Sequence, residues 1–332
     1  MPFFLQWIKK KQIGFAANRE RPSLPTQEQI QGSILGAACG DALGMATEGL
    51  NRQKIQESYG WVADYRKPVH RTKNAGQWTD DTEQMLLLTE ALIEAKGFEF
   101  QTYYIKMLEF ARKFINQEIP NRGYGPTSKK AFQNLVVGIS PSGVYSPSCG
   151  AAMKIAPLGL FYADNPPETI CQVVRECALL THSHPESISG ACAIAVAVAV
   201  ATRPNVPIAE IITAGIEAAD SIEGGIAPHL KIMLSKVQNS NTALQKVLKA
   251  GFSAKATVGI CFGILARFAN YKEAVEQAIN FGGDTDSYAS MIGSILGAKE
   301  GIACIPARWL EGLEAKDRIQ ALATQLYRAR LP

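Results

Sequence analysis

The chain has 332 residues, 47% of them hydrophobic, enough for a substantial core in one large domain or two ordinary ones, so general disorder is excluded. Its seven cysteines are odd in number, scattered and without a Cys-x-x-Cys pair, which excludes a disulfide scaffold and points to free thiols in a reducing cytoplasm. The formal charge of +4 arises wholly within residues 1–25, where Lys9, Lys10, Lys11, Arg19 and Arg21 oppose Glu20 alone; the neutral remainder argues against nucleic acid as the main partner.

Residues 1–25 read as a basic, loosely held extension. Its apolar start precedes its lysines, the reverse of a signal peptide, and no run reaches the ~20 apolar residues of a membrane span. Glycines then recur at 32, 36, 40 and 44, a four-residue step that lines one face of a helix. Each costs roughly 1 kcal/mol relative to Ala, so the stripe needs another helix packed very close against it. Gly293 and Gly297, with Ala289 and Ser290, offer the matching surface. Glu48 follows and, taken alone, reads as a surface-loop glutamate. Residues 51–78 read as a long polar loop holding Trp61, Tyr65 and Trp78, of a length that tends to be functional or mobile.

Thr79, Asp80, Asp81 and Thr82 open the next helix, whose body is residues 85–93. The adjacent carboxylates repel each other unless a cation sits between or before them. Helical periods continue over 103–114 and 129–137. Between them Asn121-Arg122-Gly123-Tyr124-Gly125 is a glycine-rich turn, either a plain loop or a set of backbone N–H groups offered to a phosphate. Ser148-Cys149-Gly150 is a small-residue approach to a helix, in which a lone cysteine reads as inert packing. Around His182 one helix stops and another starts; His182 and His184 cannot share a helical face and lack a third soft ligand, which argues against zinc. Residues 190–202 alternate Ala with Val, a pattern open to strand or helix; the alanines and the helical surroundings favour a buried helix. Residues 208–279 are helical in period.

The last motif is Phe281-Gly282-Gly283-Asp284-Thr285-Asp286-Ser287, again acid and hydroxyl at a helix start. In a regular helix Asp284 and Asp286 would point about 200° apart, so they converge only in a loop or first turn. One cap needs one such residue. Two runs of the same all-oxygen design favour a shared site for a hard cation, Mg²⁺, Mn²⁺ or Ca²⁺. The expected architecture is one compact all-α, multi-helix domain over residues 26–332 that brings the two acidic helix starts together.

Together these residues resemble the ADP-ribosylglycohydrolase family. The matches are residues 32–44 with Asp41 and Glu48, then Thr79-Asp80-Asp81-Thr82, Arg122-Gly123-Tyr124-Gly125, Gly150-Ala151-Ala152-Met153 with Pro157, Thr181-His182, and Gly282-Gly283-Asp284-Thr285-Asp286-Ser287. They span residues 28–312 in the family's order. The resemblance implies an all-α hydrolase that removes ADP-ribose from a modified protein side chain or a small acceptor, using two divalent cations, Mg²⁺ or Mn²⁺. It implies Thr79, Asp80, Asp81, Asp284, Asp286 and Ser287 as metal ligands, and Glu48 with Asp80 and Asp81 as the acids near the reacting ribose. Gly123, Tyr124, Gly125, Ser148, Gly150 and His182 would then hold ADP-ribose. Ser287 stands where Thr is usual, Cys149 where Asn is usual and Lys154 where Arg is usual. The first keeps a hydroxyl, and the other two bear on substrate recognition.

Two rival readings compete with this one. The acid-x-acid run superficially resembles the nucleophile motif of haloacid dehalogenase phosphatases, but that motif follows a buried strand and residues 273–280 read as helix. An ADP-ribose-binding pseudoenzyme is the other, against which all six ligand positions and Glu48 are present.

Overall fold

The computed structural model describes residues 25–239 and 242–331, so the basic extension lies outside the described residues. The order opens with α1 (Gln27–Gly44), α2 (Arg52–Tyr59), α3 (Asp80–Ala95), α4 (Phe100–Ile115), α5 (Pro126–Val136) and α6 (Ala156–Phe161). It continues through α7 (Pro167–Ala178), α8 (Pro185–Ala201), α9 (Ile208–Asp220), α10 (Ala227–Gln238) and α11 (Leu244–Val247). The C-terminal part is α12 (Ala254–Leu265), α13 (Tyr271–Ile279), α14 (Thr285–Glu300), α15 (Ala307–Gly312) and α16 (Lys316–Arg330). Extended pairing among the described residues is limited to two isolated bridges, Val144 with His182 and Ser148 with Ser253, so the fold is all-α as expected.

Helix α1 starts on a capping box, in which the Thr26 hydroxyl accepts from Gln29 N–H and the Gln29 side chain accepts from Thr26 N–H. It then runs buried from Ile30 to Gly44. Its glycine face meets α14 backbone to backbone. A Cβ on Gly32 would lie 2.4 Å from Gly297 O, one on Gly36 2.5 Å from Gly293 O, and one on Gly40 2.2 Å from Ala289 O. Because the numbers rise on one helix as they fall on the other, the pair is antiparallel. The end of α1 therefore arrives beside the start of α14.

That junction is stapled. Thr47 Oγ1 lies 2.9 Å from Thr285 Oγ1, and Thr285 Oγ1 donates to Gly44 O at 3.0 Å. Gly49 N donates to Gly283 O at 2.8 Å, and Gly283 N to Leu50 O at 2.9 Å. Gly282 and Gly283 hold φ of +92° and +90°, a region in which a side chain is strained, and a Cβ on Gly282 would lie 2.8 Å from Arg52 N. The glycines thus let the loop before α14 lie flat against the turn that carries Glu48.

A second device seats α3. Asp41, fully buried on α1, accepts from Thr79 N at 2.9 Å, from Thr82 N at 3.0 Å and from Thr82 Oγ1 at 2.5 Å. One carboxylate thereby satisfies free N–H groups at the α3 start and ties that start to α1. The Ala/Val segment is α8, a helix buried almost throughout, as its alanine content predicts. One expectation needs correction: residues 51–78 are not all loop, because α2 lies within them. Only Ile55 of α2 is buried, so no apolar period announces the helix. It rests instead on local polar contacts, the Asn51 cap on Lys54 N at 2.9 Å and the Lys54–Glu57 pair at 3.0 Å.

Candidate metal centre

The antiparallel pair and the Asp41 anchor bring both acidic runs to one place. Carboxylate oxygens of Glu48, Asp284 and Asp286 lie within 4.8 Å of one another. Asp80 and Asp81 stand beside them from the α3 start, near enough that Asp81 acts on the ionisation of Asp286, and Asp284 on that of Asp81. Burial, followed by repulsion from Glu48 and Asp41, pushes Asp80 up to about 8. Burial raises Asp284 to about 6, with Glu48 adding to the rise. Asp81 and Asp286 are held well above the ordinary carboxylate range by burial and by their acidic neighbours.

Capping does not use these carboxylates up. Asp284 occupies the N-cap position of α14 yet makes no side-chain capping bond; its Oδ2 instead accepts from Thr257 Oγ1 at 3.0 Å and from Cys149 Sγ at 3.0 Å. At α3 the cap is Thr79, whose Oγ1 accepts from Asp81 N at 3.3 Å. Asp81 Oδ2 is buried without any hydrogen-bond partner. An orphaned carboxylate oxygen beside three converging carboxylates is an arrangement that a cation completes. The donors are oxygens throughout, and burial, then Asp284 and Asp81, hold the Cys149 thiol protonated, so no soft ligand competes. The residues fit a hard divalent cation.

Thr79 and Ser287, the two expected hydroxyl ligands, are buried at the two helix starts. Glu48 belongs to the converging carboxylates rather than only standing near them, and its side chain, 18% exposed, is ion-paired with Arg71. The glycine turn lies over the centre: a Cβ on Gly123 would stand 3.5 Å from Asp80 Oδ1, while Gly125 has open space on its Cβ side. Tyr124 turns the other way. Its ring packs among Phe110, Phe114 and Phe132, and its hydroxyl donates to Glu83 Oε2 at 2.6 Å, so the phenol faces away from the centre, while the Gly123 and Tyr124 N–H groups donate to Asn121 Oδ1 at 3.1 and 3.2 Å.

On the other side Ser148 Oγ lies 2.9 Å from His182 Nε2. A Cβ on Gly150 would sit 2.5 Å from His182 Cε1, so only glycine admits the imidazole there. Burial and the charge of Lys154 push His182 down to about 3, leaving the ring neutral.

Several contributors escape a reading of the sequence. Asp41 carries a motif position without an evident task; Arg71 and Thr257 carry no signal at all. Lys73 Nζ donates to Arg122 O at 2.7 Å and so ties the loop before α3 to the glycine turn.

The family model for ADP-ribosylglycohydrolase matches residues 22–332. An uncharacterised protein of Archaeoglobus fulgidus is 37% identical over 309 residues, covering 91% of this chain and 96% of its own. ADP-ribosylarginine hydrolase Tri1 of Serratia proteamaculans is 26% identical, covering 92% of this chain and 81% of its own. ADP-ribosylhydrolase ARH3 of Gallus gallus is 24% identical, covering 92% and 94%. A solved structure described as an ADP-ribosylglycohydrolase-related protein complex superposes with a TM-score of 0.73 at 26% identity, over 92% of this chain and 99% of that one. With the family model spanning nearly its whole length and the all-α fold shared, the chain belongs to the ADP-ribosylglycohydrolase family.

Proposed function

We propose that the protein is a divalent-cation-dependent hydrolase that cleaves the glycosidic bond between ADP-ribose and a protein side chain or small acceptor. The observation that carries this reading is the convergence of Glu48, Asp284 and Asp286 beside the orphaned Asp81 oxygen, in a chain of this family. Thr79, Asp80, Asp81, Asp284, Asp286 and Ser287 would hold two cations, Mg²⁺ or Mn²⁺. Bound there, such ions supply Lewis-acid activation of water and a grip on sugar hydroxyls.

The chain's own residues do the rest. Glycoside cleavage passes through positive charge on the sugar ring, and the carboxylates of Glu48, Asp80 and Asp81 face that charge. Glu48 is the most exposed member of the group, its side chain 18% exposed and its Oε2 held by Arg71, so it is the carboxylate placed nearest to solvent. The Gly125 N–H, the Gly123 and Tyr124 N–H groups being held by Asn121 Oδ1, and the Ser148 side chain, backed by His182 beside Gly150, offer donors to the diphosphate. The neutral body supports a small-molecule or protein substrate over nucleic acid, and no described helix is long and apolar enough to cross a membrane. All seven cysteines are free, in keeping with a cytoplasmic place.

The test is to offer the purified protein ADP-ribosyl-arginine, ADP-ribosyl-serine and O-acetyl-ADP-ribose, with Mg²⁺, with Mn²⁺ and with EDTA. The arginine linkage enters the panel because one relative is named for it. Release of ADP-ribose from at least one acceptor, stopped by EDTA, is expected. Binding of ADP-ribose with no turnover of any acceptor would establish the pseudoenzyme instead.

A further inference from the structure

Lys154 is fully buried at the junction between the acidic centre and the Ser148 loop, and its ammonium can only donate. Nζ donates to Gln84 Oε1 at 2.9 Å and to Thr181 Oγ1 at 2.9 Å. Gln84 in turn aims Nε2 at Asp80 Oδ2, 3.4 Å away. Thr181 Oγ1 lies 3.0 Å from His182 Nδ1 and 3.5 Å from Ala178 O, the latter too long for a good O–H···O bond. His182 Nε2 lies 2.9 Å from Ser148 Oγ.

We infer that Lys154 is a positioning residue that polarises a chain of hydrogen bonds through Thr181 and His182 to Ser148, so that Ser148 presents its own proton to an anionic oxygen of the ligand. The direction follows from donor and acceptor counting. The lysine occupies a lone pair of Thr181, whose hydroxyl proton goes to the nearer acceptor, His182 Nδ1. A neutral imidazole that accepts at Nδ1 must donate at Nε2. Ser148 then accepts from His182, and its proton is left over. Inside the protein its proton can go only to Thr127 Oγ1 at 3.4 Å or to Ser146 Oγ at 3.3 Å, the latter itself a donor to Ser148, and both are weak contacts that a phosphate oxygen displaces. The packing of the imidazole on Gly150 fixes the ring plane that the relay needs.

The identity of the ligand, the diphosphate of ADP-ribose, rests on the proposed function; the tautomer does not. Nitrogen-15 spectra of His-labelled, ligand-free protein should show His182, assigned by its loss in His182→Gln, with a protonated Nε2 and an unprotonated Nδ1. Thr181→Val and Lys154→Met should each shift it toward a mixture of tautomers, and Thr181→Ser, which keeps the hydroxyl, should restore it. ADP-ribose titrations supply the second arm. Ser148→Ala should weaken binding by up to about tenfold in the wild type but less than twofold in a Thr181→Val background. A protonated Nδ1 in the wild type, or a tautomer unchanged by Thr181→Val, would overturn the relay, and so would equal costs of Ser148→Ala in the two backgrounds. The wild-type spectrum decides even if Thr181→Val or Lys154→Met does not fold, and if His182→Gln does not fold, His182 is assigned by elimination from variants of His70, His184 and His229. Absence of any ADP-ribose binding would remove the proposed function and leave the tautomer result standing.

Discussion

Asp284 concentrates the conflict between stability and function in one side chain. Its folded pKa, about 6, stands above the value of about 3.8 from which burial raises it. The cation-free protein therefore has this contribution in full below about pH 4 and loses it as pH rises through 6, a decline of up to about 3 kcal/mol at 1.36 kcal/mol per pKa unit. Asn fits the same place, because both donors to Asp284, Thr257 Oγ1 and Cys149 Sγ, address the single atom Oδ2. Asp284→Asn should therefore make the pH 4 to 6 decline of denaturation midpoints in EDTA shallower, with Asp80, Asp81 and Asp286 still contributing to it, and raise stability at pH 7 by about 1–3 kcal/mol, while hydrolysis is lost. Lower stability of the variant at pH 7 in EDTA would contradict the reading of Asp284 as a strained ligand. The carboxylates themselves were legible because acid and hydroxyl recur at two helix starts. The company they keep was not: Thr257 and Cys149 reach Asp284 across 27 and 135 residues, beyond any local pattern.

At the scale of elements, the close pair of α1 and α14 delivers Glu48 to Asp284 and, through Asp41, Thr79 to the same place. The glycine step made this contact readable, since four glycines in one helix face lose too much propensity to stand unexplained. Gly40→Ala should improve helix propensity by roughly 1 kcal/mol and nevertheless destabilise the protein by about 2–3 kcal/mol, because its Cβ would meet Ala289 O at 2.2 Å. Chemical denaturation with an unchanged m-value measures this, and an unaffected midpoint would mean that the helices separate at no cost. Helix α2 and the inward turn of Tyr124 were hidden for a common reason. A short helix with one buried residue has no apolar period, and a glycine-flanked tyrosine gives no sign of the phenylalanines its ring will meet.

Across the whole molecule, a neutral body folds around a buried pocket of negative charge, and the family resemblance alone does not explain how that charge is tolerated. We propose that two divalent cations, shared by both helix starts, neutralise it and thereby stabilise the native state by mass action, about 2.7 kcal/mol at a hundredfold excess over Kd. Isothermal titration of the EDTA-stripped protein with Mn²⁺ tests this most directly, in the wild type and in Asp80→Asn and Asp286→Asn. The account predicts two Mn²⁺ per chain in the wild type and loss of at least one in each variant, although the residues lie on separate helices. No Mn²⁺ binding to the wild type, or unchanged stoichiometry and affinity in either variant, would contradict it.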